Sequence, residues 1–224
     1  MRIQKKKARK KKDTREFPLS KYSNRNSGRP RSPLSGMSHL TRPPVKDYNP
    51  MLLTQRVRRR IPNLRWHRLG KIVLACIKAG AARKDARIVE FSIMGDHLHY
   101  VAEARTNKAL ASLMKGLNRR LGHAINKYLG TSGKVFADRY HRVDLVSMEQ
   151  VRNAIRYVLC NANKHKVPYQ GDFDPLSSAR WFPFWSTGTR APESTSPIPA
   201  GTCWKLKTGL SGKPRLDPNY FGRA

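Results

Sequence analysis

Met94-Gly95-Asp96-His97-Leu98-His99-Tyr100-Val101 is the stretch on which the reading of this chain turns. A Gly-Asp turn leads into a strand-like alternation, and successive strand side chains point to opposite faces. His97 and His99 therefore share one face, while Leu98 points into a core. Two imidazoles side by side on a rigid strand can hold one divalent cation, yet two ligands leave such a site incomplete. A third ligand and a substrate oxygen must come from elsewhere.

Outward from this stretch the chain alternates strands and helices. Val89, Phe91 and Ile93 alternate against Glu90, Ser92 and Met94, so Arg87 to Met94 pairs with His97 to Ala104 as a β-hairpin. Met51 to Val57 has strand composition, and Leu69, Ile72, Val73, Cys76 and Ile77 then recur at helical spacing as far as Gly80. After Thr106, a long amphipathic helix is marked by Leu110, Leu113, Met114, Leu117, Leu121 and Ile125 and is broken by Gly130-Thr131-Ser132-Gly133. Phe136 to Val146 reads as a fourth strand with Val143 and Leu145 inward. Ser147 with Gln150 is a capping box for a final helix to about His165. The order β-α-β-β-α-β-α predicts an α+β, ferredoxin-like fold: a four-stranded antiparallel sheet with two helices on one face.

The tails divide by composition. Residues 1–48 read as a disordered basic arm, 49–168 as the folded domain, 169–186 as an aromatic cap around Trp181-Phe182-Pro183-Phe184-Trp185, and 187–224 as an extension that trails off. Within the arm, Gly28-Arg29-Pro30-Arg31 resembles the core of minor-groove A·T-binding hooks, with Arg29 and Arg31 as DNA contacts; a solvated basic linker is the other reading.

Charge narrows the partner. The formal net charge is +32 over 224 residues, of which residues 1–48 hold 15 basic and 3 acidic side chains. The folded part is therefore strongly basic too, and such a surface repels itself unless a polyanion is near, which points to nucleic acid. No run of about 18 apolar residues suggests a membrane span. The start is too basic for a secretion signal. Three widely spaced cysteines, Cys76, Cys160 and Cys203, indicate neither a disulfide framework nor a zinc site, so a cytoplasmic, nucleoid-associated protein is expected.

The last helix supplies the missing chemistry. Val151, Ile155, Val158, Leu159 and Ala162 form its apolar stripe. At ~100° per residue, Tyr157 falls about 140° and Asn161 about 100° from the stripe centre, one turn apart on one exposed flank with Lys164. A tyrosine there is either a surface residue or a phenol available to attack a phosphodiester. A cation held by His97 and His99 and completed by the Asn161 amide would polarise the phosphate beside Tyr157, with Lys164 steadying it. Tyr140 is the rival nucleophile. Lys115, Arg119, Arg120 and Lys127 on the long helix, and Arg139 within the fourth strand, read as DNA-backbone contacts.

Three segments together resemble the single-tyrosine (Y1) HUH transposases of the IS200/IS605 type, and among them the REP-associated tyrosine transposases. They are Ile93-Met94-Gly95-Asp96-His97-Leu98-His99, Gly133-Lys134-Val135-Phe136-Ala137-Asp138-Arg139-Tyr140-His141 and Arg156-Tyr157-Val158-Leu159-Cys160-Asn161. The resemblance runs from about Pro50 to Trp185. It implies an HUH fold, Mg²⁺ or Mn²⁺, and cleavage and rejoining of single-stranded or hairpin DNA through a 5′-phosphotyrosine, by a monomer or homodimer. It assigns Tyr157 as nucleophile and His97, His99 and Asn161 as metal ligands. One departure is that relatives carry Asn-Pro where this chain has Asn161-Ala162, which lets the helix run on. A DNA-binding module that has lost turnover, and a basic RNA-binding protein with incidental histidines, are the alternative readings.

Overall fold

The computed structural model describes residues 42–46, 49–186, 196–212 and 214–217. Its centre is a five-stranded antiparallel sheet in the order β2-β3-β4-β1-β5. The strands are β1 (Met51–Arg56), β2 (Ala82–Arg83), β3 (Ala86–Ile93), β4 (His97–Ala104) and β5 (His141–Asp144). The helices are α1 (His67–Gly80), α2 (Asn107–Leu129), α3 (Met148–Leu159) and the single turns α4 (Asn161–Lys164) and α5 (Thr208–Ser211).

The sheet is covered on both faces, which sorts the side chains of β4. Leu98 and Tyr100 enter one core with Phe91 of β3, Leu69, Val73 and Ile77 of α1, and Leu113, Leu117 and Leu121 of α2. Val101, two residues beyond His99 on the other face, enters a second core with Val151, Ile155 and Val158 of α3. The histidines thus share the α3 face, and burial of Leu98 and Tyr100 on the opposite side locks that choice, because a one-residue slip would reverse every side chain.

Local chemistry sets the helix ends. The Thr106 hydroxyl accepts from Ala109 N–H at 3.1 Å to start α2, which ends on Gly130 with φ 63°. A complete capping box starts α3: Ser147 Oγ accepts from Gln150 N–H while Gln150 Oε1 accepts from Ser147 N–H.

Besides adding the two-residue strand β2, the structure departs from the sequence reading at four places. Val89 belongs to the α3 face, because a bulge between Ile88 and Glu90 inserts a residue and turns Val89 and Glu90 the same way. The fourth strand is short, pairing only Met51–Thr54 with His141–Asp144, and its Val143 is 43% exposed because it lies on the edge strand. The last helix breaks at Cys160 (φ −98°, ψ 12°), and Asn161 opens a separate turn. Finally, the C-terminal stretch packs where it is described. Glu103 accepts from the N–H groups of Thr202 and Cys203 at 2.9–3.0 Å and pairs with Arg87, while Leu206, Leu210 and Leu216 enter the α3-side core.

Beyond β2 the free edge of β3 is closed by a returning segment. Ile93 N–H donates to Leu176 O at 2.9 Å and Ser178 N–H to Phe91 O at 3.0 Å. This segment is pinned by a buried fork in which Arg65 holds Asp174 at 2.8 and 2.9 Å and also donates to Ile93 O. Phe182 and Trp185 then seat in the α3-side core, and the Trp185 indole N–H donates to Ala179 O at 2.8 Å.

Candidate active site

Three rings meet where β4 faces the end of α3. The His97 and His99 ring centroids are 4.6 Å apart, and those of His99 and Tyr157 are 4.9 Å apart, both edge-on. Tyr157 Oη lies 3.3 Å from His99 Nε2. Each histidine is held by its other nitrogen. The Asp96 carboxylate lies 2.6 Å from His97 Nδ1, and the Thr54 hydroxyl 3.0 Å from His99 Nδ1. With Nδ1–H donating to these partners, both Nε2 atoms carry lone pairs, that of His99 facing the Tyr157 hydroxyl, and such outer partners orient metal-binding imidazoles.

Burial keeps His99 neutral. It is 2% exposed, and its pKa is pushed down to about 3, by burial first and then by His97 and His165. A neutral imidazole is the form that ligates. Burial also pushes the Tyr157 phenol above its ordinary range, so it needs positive charge to ionise. One cation is close: Lys164 Nζ lies 5.1 Å from the centre of the Tyr157 ring.

Among the described residues, no cluster of three His, Cys, Asp or Glu side chains is placed to hold a metal, so a third ligand for the pair has to be of another type. Asn161 suits that part. It was placed by its spacing on an exposed flank, but the break at Cys160 turns it inward. It is fully buried, and neither Oδ1 nor Nδ2 has a hydrogen-bond partner among the described residues. A buried amide without partners costs stability unless something else occupies it. A hard cation taking the Asn161 carbonyl oxygen with two imidazole nitrogens is a chemically ordinary donor set.

The cationic residues named from the sequence scatter. Lys164 is at the site. Lys115, Arg119 and Arg120 line a groove of about 1010 Å³ with Arg83 and His123, in the α1–α2 layer on the opposite side of the sheet from the histidines. Gly116 lines the groove too, and the Arg83 guanidinium packs closely against it. Lys127 is exposed farther along α2, and Arg139 is half-buried before β5. Arg29 and Arg31 lie outside the described residues. Tyr140 packs against the α1–α2 core with Arg42 stacked on its ring at 3.9 Å, away from the histidines. Thr54 and His165 were missed. Thr54 is visible as a site residue only once the β1–β4 register sets it directly opposite His99.

The fold is similar to that of a solved REP-associated tyrosine transposase bound to a REP hairpin, with a TM-score of 0.51 and 17% identity over 63% of this chain and 82% of that one. A candidate transposase from Deinococcus radiodurans is also similar, with a TM-score of 0.34 and 12% identity over 53% of this chain and 90% of the other. Comparison with curated proteins gave no match. Residues 51–161 match the family model described as "Transposase IS200 like", and through them the chain belongs to the IS200-like transposase family, a family of DNA-processing enzymes.

Proposed function

We propose that this protein is an HUH-type, REP-associated-like transposase that nicks and rejoins hairpin-associated single-stranded DNA through Tyr157. The observation that carries this reading is the 3.3 Å approach of Tyr157 Oη to the Nε2 of a buried, neutral His99 beside His97. A phenol and a pair of ligating imidazoles at one point are what an in-line attack on a phosphodiester needs.

Tyr157 Oη attacks the phosphorus as the bond from phosphorus to the 3′ oxygen breaks. The phenol proton leaves to solvent on the open side of this half-buried residue, and the departing oxygen takes up a proton as a 3′-hydroxyl. The product is a 5′-phosphotyrosine diester, so the bond energy is retained. Attack by a 3′-hydroxyl rejoins the strand without any nucleotide cofactor. His97, His99 and Asn161 would hold a divalent ion, Mg²⁺ or Mn²⁺, which when bound supplies Lewis-acid stabilisation of the phosphate oxygens. Lys164 lowers the cost of the phenolate by its charge, and Asp96 and Thr54 fix the imidazoles.

The DNA partner follows from charge. The groove of Arg83, Lys115, Arg119 and Arg120 fits duplex phosphates of a DNA hairpin, while the phosphodiester to be cut reaches the opposite side of the sheet. No helix among the described residues is long and apolar enough to cross a membrane.

The test is incubation with labelled single-stranded DNA bearing a hairpin and Mn²⁺, followed by a denaturing gel. A covalent adduct that is lost in Tyr157→Phe and His97→Ala is expected. Tight binding by the wild type with no adduct would make the protein a DNA-binding module instead.

A further inference from the structure

The segment joining β1 to α1 takes no part in the chemistry above, yet it is the most cationic described stretch beside the site. From residue 56 to 68 it holds Arg56, Arg58, Arg59, Arg60, Arg65 and Arg68 and no acidic residue. Arg65 is committed to Asp174 and Ile93, and Arg60 donates to the carbonyls of Ser132 and Lys134. Arg58, Arg59 and Arg68 are exposed. In the same segment the Trp66 indole is 59% exposed.

The backbone beneath this ring is rigid and clamped to the turn that carries His97. Leu64 N–H donates to Gly95 O at 2.8 Å, Val57 N–H to Asp96 O at 2.9 Å and Arg58 N–H to Val135 O at 2.8 Å. Ile61 and Leu64 are buried in the core, and Trp66 N–H closes on Asn63 O at 3.1 Å. Gly95 serves this docking, because a Cβ there would meet the Asn63 amide at 3.1 Å. The result is a large, mostly exposed flat ring on a clamped backbone, in a segment rich in exposed arginines and two residues along the chain from the bond that ties it to the β3–β4 turn.

We propose that this segment is a second nucleic-acid contact site, in which Trp66 stacks on an unpaired base of the strand entering the site while Arg58, Arg59 and Arg68 hold the flanking phosphates. The proposal rests on the single-strand DNA reading above. Every base has a π face, so the contact grips the strand without reading its sequence, and paired bases inside a duplex stem have no face to offer it.

The test compares full-length wild type, Trp66→Ala and Trp66→Tyr on a DNA hairpin with single-stranded extensions on both sides and on the same hairpin without them. The side chain is mostly in solvent, so the variants are expected to fold. Trp66→Ala is expected to weaken binding of the extended DNA roughly 5- to 100-fold and to leave the blunt hairpin unchanged, with Trp66→Tyr retaining most of the affinity. Abasic spacers moved along the extensions should cost wild type a similar factor at one or two adjacent positions, and that cost should vanish in Trp66→Ala. Wild-type affinity of Trp66→Ala for the extended DNA, or an equal loss on the blunt hairpin, overturns the proposal. A wild type that binds the extended and blunt forms alike overturns the single-strand reading as well, and the wild-type measurements alone reveal that case.

Discussion

Thr54→Val tests the idea that His99 is a positioned ligand and not a buried histidine that happens to lie near a tyrosine. Thr54 sits directly opposite His99 in the β1–β4 register, with its hydroxyl 3.0 Å from Nδ1. Valine keeps the shape and the strand preference and removes only the hydroxyl. His99 is 2% exposed, so its Nδ1–H would be left in a dry site without a partner, at a cost of about 1–3 kcal/mol. The same hydroxyl fixes the ring's tautomer and rotation, and loss of such an outer partner typically weakens metal binding about 10- to 100-fold. Urea unfolding in chelator would read the first quantity. Electron paramagnetic resonance of free Mn²⁺ during titration of the full-length protein would read the second. Thr54→Ser, which keeps the hydroxyl, should bind Mn²⁺ within a few-fold of wild type. Wild-type Mn²⁺ affinity in Thr54→Val would refute the reasoning, because the hydroxyl would then not set the ring.

Three further outcomes follow from the same geometry. The His99 imidazole, pushed down to about 3 from an ordinary 6.5, takes its proton in the unfolded chain first. Its contribution to stability is thus complete above pH 6.5 and lost as pH falls toward 3, at most on the order of 5 kcal/mol, and His99→Gln should flatten the urea midpoint across that window. Asp174→Ala strands the buried Arg65 guanidinium and should cost about 3–5 kcal/mol in thermal unfolding; a loss below about 1 kcal/mol would mean that the fork does not pin the returning segment. Arg119→Ala with Arg120→Ala should make the salt dependence of hairpin binding shallower by roughly 1–2 in the slope of log K against log salt, and an unchanged slope would remove the α1–α2 groove as the duplex site.

Much of the fold was legible because periodicity reports burial. The six apolar positions of α2 and the stripe of α3 are all buried, and the His-x-His alternation put both imidazoles on one face. What escaped was whatever depends on tertiary pairing. The bulge at Val89 leaves no mark in a run of alternating residues, and Val143 looks like any inward strand residue until its edge position is known. The inward turn of Asn161 arises from one residue, Cys160, leaving helical geometry, and nothing in its spacing signals that. Thr54 belongs to the site only through register, and the C-terminal residues are held by Glu103, a carboxylate about 100 positions away in sequence. The helix end was expected to run on for want of a proline; it breaks without one.

The central claim is that Tyr157 becomes covalently joined to DNA. The most direct measurement is mass spectrometry of peptides from the protein after reaction with hairpin-bearing single-stranded DNA and Mn²⁺, with nuclease trimming of the attached strand. The expected result is a nucleotide-5′-phosphate adduct on the peptide containing Tyr157, absent when Tyr157 is phenylalanine. An adduct on Tyr140 or on any other residue, or unmodified Tyr157 in protein that has cut its DNA, would contradict the claim.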